Sequence, residues 1–201
     1  IILFVATLLP NRSNQVSILK SLLFVGYVNL AYCLWVILFG DFVPWNNPYG
    51  EILGTFGNPN FIGAFLGIFT SVLIAYSIRA GVKWYYRIGI LLVFLVSFYE
   101  IVESSAIQGR VVAAGGLAII GFYFIRSRFQ GFVVQTFYSI GVIFAGVVAL
   151  LGALQVGPLT KYIYKTSVSL RGEYWQAGWN MALEKPFTGV GFDTYGDWYR
   201  K

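Results

Sequence analysis

Long uninterrupted apolar runs constrain this chain more than any other feature. Ile18 to Phe39 and Phe132 to Leu154 reach the roughly 20 residues that cross the hydrocarbon core of a bilayer, Phe61 to Ile78 comes close, Ile88 to Val102 is lengthened at its start by the interfacial aromatics Trp84, Tyr85 and Tyr86, and Val111 to Ile125 is a short fourth run. A shorter run, Ile1 to Leu9, reads as the end of a truncated helix. Only 11% of the residues are charged and 58% are hydrophobic, too little polar surface to solvate five such helices in water. The runs do not alternate with period two, which argues against a barrel. The expected fold is all-α: a polytopic transmembrane bundle over residues 1–154, followed by an extracytoplasmic loop, 155–201, that contains an amphipathic helix.

Charge sets an orientation. The gaps near 10–20, 79–87 and 126–131 hold Arg12, Lys20, Arg79, Lys83, Arg87, Arg126 and Arg128 and no acid. The gaps 40–60 and 103–110 hold Asp41, Glu51 and Glu103, with Arg110 as their base. Every second gap is basic, so those gaps are expected to face the cytoplasm and the others, with 155–201, the outside. The net charge of +6 is therefore a membrane pattern and no nucleic-acid signal. Cys33, the one cysteine, cannot form an internal disulfide, and the absence of histidine removes the commonest general base. The chain reads as an internal fragment of a longer protein. Gly63 with Gly67, and Gly141 with Ala145, have the small-xxx-small spacing of close helix packing.

Polar groups gather beside aromatics in the outward segments. Asn60, after the turn formers Gly57, Asn58 and Pro59, is placed to cap the helix that follows; a helix start there serves structure, or binds phosphate or sugar. Glu100 and Glu103 share a helix face, and Arg110 is positioned either to neutralise them in a structural ion pair or to complete a polar pocket. Residues 172–184 fit an amphipathic helix with a polar stripe of Glu173, Gln176, Asn180 and Glu184, covered elsewhere by Tyr174, Trp175, Trp179 and Met181 and stopped by Pro186. Such a helix suits the membrane interface. Arg171 stands just before it, at the positive end of its dipole, where a guanidinium fork can grip phosphate.

These segments resemble the O-antigen ligase / O-antigen polymerase family of bacterial membrane glycosyltransferases. The resemblance covers residues 50 to 201. It rests on Gly54-Thr55-Phe56-Gly57-Asn58-Pro59-Asn60-Phe61, on the serine-rich turn before Gly109-Arg110, and on Arg171-Gly-Glu-Tyr-Trp-Gln-Ala-Gly-Trp-Asn-Met with Lys185-Pro186-Phe187-Thr188-Gly189-Val190-Gly191. It implies transfer or polymerisation of a glycan from undecaprenyl pyrophosphate at the outer face of the bacterial plasma membrane. The acceptor would be lipid A-core, another glycan or a protein hydroxyl, with no cofactor and no metal. Arg171 matches the family's loop arginine. Arg110 departs from the family pattern, since Ile-Gln-Gly-Arg stands where relatives read Ser-Arg-Gly. Asn60, Glu103, Gln108 and Trp175 complete the substrate-binding set that the resemblance implies. The family's histidine, the base that activates the acceptor, follows the Gly-Val-Gly turn, and this chain contains none, so the fragment is expected to be inactive alone. A solute transporter and a non-catalytic membrane subunit are the alternatives.

Overall fold

A computed structural model describes residues 11–199 apart from 45, 49, 130, 165 and 192, and leaves out the side chains of 167 and 168. The expected partial span over residues 1–9 lies outside the described residues. The protein is all-helical, and five of its helices are long and apolar enough to cross a membrane, as a multi-pass membrane protein requires: α1 (Arg12–Phe39), α2 (Pro59–Ser77), α3 (Trp84–Glu103), α4 (Ile107–Arg128) and α5 (Phe132–Ala153). Three further helices follow among the described residues: the short α6 (Thr160–Ile163), the longer but more polar α7 (Thr166–Glu184) and the short α8 (Tyr195–Tyr199). Several spans begin earlier than the apolar runs do. The 28 residues of α1 start at Arg12, capped by Asn11, whose Oδ1 accepts from the Ser13 amide at 2.9 Å. Hydropathy sees only the lipid-immersed part of a helix, and polar first turns continue it without a hydrophobic signal.

The described residues fall into two units divided between Gln135 and Thr136, so α5 groups mainly with the segment after it. In the first unit α2 is the hub, packed on α4, α3 and α1. Its core joins Cys33 of α1, Ile62, Leu66, Phe69 and Leu73 of α2, Ile90 and Ile101 of α3, and Ala113 of α4. Lipid tails are as apolar as these side chains, so close approach and polar contacts, not hydrophobicity, must favour association. The α2–α4 contact meets this requirement with small residues. A Cβ added at Gly67 would stand 2.7 Å from the Gly109 carbonyl oxygen, and one at Gly109 would stand 2.7 Å from the Gly63 carbonyl. The close-packing expectation thus holds for Gly63 and Gly67. It does not hold for Gly141, whose added Cβ would meet nothing within 4 Å.

The helices of this unit alternate in direction. The loop 40–58 and the turn Ser104–Ala106 share one end, called the loop end below, where a Cβ at Gly63 would meet Ser104 and Ala106. The turn 78–83 marks the basic end, where Arg87 Nη2 donates to the Arg79 carbonyl at 3.4 Å. The charge alternation along the sequence is therefore a real segregation in this unit.

The loop end is not a simple connection. Ile52, Leu53 and Gly54 are buried, and the 3-10 turn Gly54–Phe56 packs back against α2, with Gly54 against Ile62 and the Phe56 ring 5.1 Å from that of Phe65. The turn is tied to α1 by Asn29, whose Oδ1 accepts from both the Thr55 amide (3.0 Å) and its hydroxyl (2.9 Å). Asn29 lies roughly 15 Å along the axis from the end of α1 at Phe39, so this loop dips beside the helices. Irregular backbone at such depth needs protein partners, and Asn29 supplies one.

In the second unit, α7 and α8 form a small helical hairpin. Pro186 ends α7 as expected, and the chain turns through Gly189 (φ +65°) and Gly191 (φ +106°), left-handed positions that favour glycine. The Tyr199 hydroxyl donates to Glu173 Oε2 at 3.0 Å, the Tyr195 hydroxyl donates to the Tyr174 carbonyl, and the rings of Tyr174 and Tyr199 lie 4.9 Å apart.

Candidate functional site

The side chains singled out in the sequence divide between the two units. Asn60, Glu103, Gln108 and Arg110 lie at the loop end of the first, in the opening turn of α2, the last turn of α3 and the first turn of α4. Arg171 and Trp175 lie on α7 in the second, one turn apart.

Several expected roles need correction. The cap of α2 is Asn58, whose Oδ1 accepts from the Asn60 amide at 2.9 Å; Pro59 occupies the first helical position, and Asn60 sits inside the helix. Proline has no N–H to satisfy and a φ preset for a helix start, which moves the cap one residue upstream of the proline. Glu100 and Glu103 do not share an environment: Glu100 is 0% exposed, whereas Glu103 is exposed where α3 ends. Arg110 does not neutralise Glu100. Gly109 and Ala113 turn toward α2, which leaves Arg110 on the exposed side of α4, and neither Glu100 oxygen has a hydrogen-bond partner among the described residues. Arg171 does not precede its helix. α7 starts at Thr166, because the stretch 166–171 contains neither glycine nor proline to delay it, and Arg171 stands in its second turn.

The polar stripe of α7 is real and exposed, and it forms one side of a shallow open groove. Glu173, Gln176, Asn180 and Glu184 line a groove of about 380 Å³, walled by Trp198 and Tyr199 of α8 and floored by the buried Met181. Tyr199 gives its proton's hydrogen bond to Glu173. That bond, with the neighbouring negative charge, raises the Tyr199 phenol above its ordinary range. The groove offers carboxylate and amide acceptors, amide donors and two aromatic rings. This is the equipment that holds vicinal hydroxyls and the apolar face of a sugar ring.

At 100° per residue Arg171 falls on the side of α7 turned away from this stripe. Trp175 and Trp179 share that side, at 80% and 66% exposure. The helix thus presents a polar groove on one side and a cationic, indole-rich face on the other, the combination of an interfacial helix.

Sequence reading missed Asn29 and Ser97, each a polar residue inside a mainly apolar run, and the groove wall formed by Trp198 and Tyr199. An amide in mid-span was the available signal for Asn29, because an unpaired amide in lipid is expensive. No signal for the α8 wall precedes knowing that the chain reverses at Pro186. Comparison with protein families, with curated proteins and with solved structures finds no match to this chain.

Proposed function

We propose that this protein works in a bacterial plasma membrane as a lipid-linked glycan transferase of the O-antigen ligase / O-antigen polymerase type. In this reading the loop end and the segment after α5 face the outside, in keeping with the basic residues gathered at the other end. The donor is a glycan on undecaprenyl pyrophosphate, and the acceptor a lipid A-core, glycan or protein hydroxyl. The observation that carries the reading is the two-sided α7. Arg171, flanked by exposed indoles, suits a pyrophosphate held at the lipid surface, and the opposite groove suits a sugar. A fixed guanidinium stabilises the charge that develops on a departing pyrophosphate, more strongly near lipid than in bulk water. Arg110 at the loop end is a second candidate for phosphate contact, with Asn60, Glu103 and Gln108 near it for glycan hydroxyls.

Arg171→Ala in the cellular copy of the gene is expected to lower glycan attachment by about 10²- to 10³-fold at unchanged protein level, the usual loss for one transition-state charge donor. Wild-type glycan with that variant would reject the role. A solute-carrier reading is favoured by one observation, the buried Glu100 within α3. Flux of labelled solutes into proteoliposomes separates the two.

A further inference from the structure

Glu100 is the group that the packing of the first unit leaves unexplained. Its side chain is 0% exposed, and both carboxylate oxygens lack a hydrogen-bond partner among the described residues. Ser97, one turn earlier on the same side of α3, is also 0% exposed, and its Oγ also lacks a partner. Native interiors satisfy their buried polar groups with few exceptions, so two such groups one turn apart call for an occupant.

The charged and titratable groups around them do not supply one. From α1 comes the buried thiol of Cys33, within electrostatic reach of both Glu100 and Asp41. Asp41 itself is exposed, engaged by the Tyr32 hydroxyl and the Val43 amide. Glu51 in the loop is half-buried, and Glu103 on α3 is exposed. The ionisable side chain of α2, Tyr76, is at the basic end, and Arg110 of α4 is exposed. An isolated carboxylate in such surroundings is strongly disfavoured, because burial removes its hydration and nothing replaces it. No described residue supplies a positive partner. A hard metal cation calls for about six or more oxygen ligands. The cluster offers Oε1, Oε2 and the Ser97 Oγ; the Asn29 amide oxygen is already taken by Thr55. A proton asks for no further ligand.

We infer that Glu100, with Ser97 beside it, is an exchangeable proton-binding site within the membrane, packed between α3 and α1 next to the inward-dipping turn. Exchange runs by way of the anchored turn. Asn29 and Cys33 are one turn apart on the same side of α1, and Asn29 anchors Thr55, which is exposed in the short 3-10 turn of the loop that dips beside the helices. Such backbone at membrane depth is where water reaches a site. The inference does not depend on the glycan reading.

Dicyclohexylcarbodiimide tests it, since this lipid-soluble reagent adds across the O–H of a protonated carboxyl in an apolar setting and leaves an N-acylurea. The full-length protein in its native membrane is treated and its peptides are fragmented to locate the adduct. The expected result is an adduct on Glu100 that is lost in Glu100→Gln. It should be formed equally in sodium and choline chloride, and decline by about tenfold per pH unit above its midpoint. Because fragmentation places the adduct in the unaltered chain, the result does not depend on the variant folding. No adduct on Glu100, protection by sodium, or labelling that ignores pH would each overturn the inference.

Discussion

Replacing Gly109 with alanine tests whether close backbone approach holds the first unit together. The added Cβ would lie 2.7 Å from the carbonyl carbon and oxygen of Gly63 and 3.0 Å from its Cα. These are helix backbone atoms and cannot rotate aside as a side chain would. Carbon contacts are comfortable at about 3.5–4.0 Å, so α2 and α4 must separate by roughly 1 Å, and a gap of that size forfeits a quarter to a half of each contact along the seam. Overpacking of this kind costs about 1–3 kcal/mol, and the upper end is expected where the neighbours are rigid. Alanine also favours a helix over glycine by about 1 kcal/mol, which offsets part of the loss. Gly115→Ala on the same helix isolates the packing effect, because nothing lies within 4 Å of its added Cβ. It gains the propensity without the clash. The difference between the two variants should therefore be about 2–3 kcal/mol, read as a shift in reversible unfolding with increasing dodecyl sulfate in mixed micelles. If Gly109→Ala and Gly115→Ala unfold within about 0.5 kcal/mol of each other, the α2–α4 contact is not the packing seam described here.

Asn29→Ala removes the acceptor of both Thr55 bonds and is expected to destabilise the fold by about 1–2 kcal/mol in the same assay. Its coupling to Thr55→Val in a double-mutant cycle should be above zero, and full additivity would argue that the turn is not held by this amide. The Tyr199–Glu173 bond raises the phenol above its usual range, so its contribution to the α7–α8 hairpin is complete below about pH 10 and is lost as the pH climbs through the raised value. Glu173→Gln should shift tyrosinate absorbance, taken as the difference from Tyr199→Phe, to lower pH; an unmoved titration would exclude the bond in solution. On the glycan reading, Asn180→Ala is expected to raise KM for the sugar about tenfold with little change in kcat, whereas Arg171→Ala lowers kcat. The opposite split in steady-state kinetics would reverse the roles given to the two sides of α7.

The amino-acid sequence by itself determined the number and course of the spans, because about 20 consecutive apolar residues admit few solutions other than a helix across lipid. It also foretold that basic gaps would collect at one end of the first unit, that Gly63 and Gly67 would serve close packing, and that α7 would carry a polar stripe ending before Pro186. What it left open was which of several similar residues would be enclosed. Glu100 and Glu103 look equivalent at a spacing of three, yet only the packing of α3 within the first unit decides that Glu100 is sealed in while Glu103 stays exposed. Asn29 is unremarkable until Thr55, distant in sequence, is folded back upon it. The stripe of α7 became a groove only because the chain reverses and sets Trp198 and Tyr199 over it. Local periodicity records which side of a helix is polar; whether water, lipid or another helix meets that side depends on partners far along the chain, and only the tertiary structure supplies them.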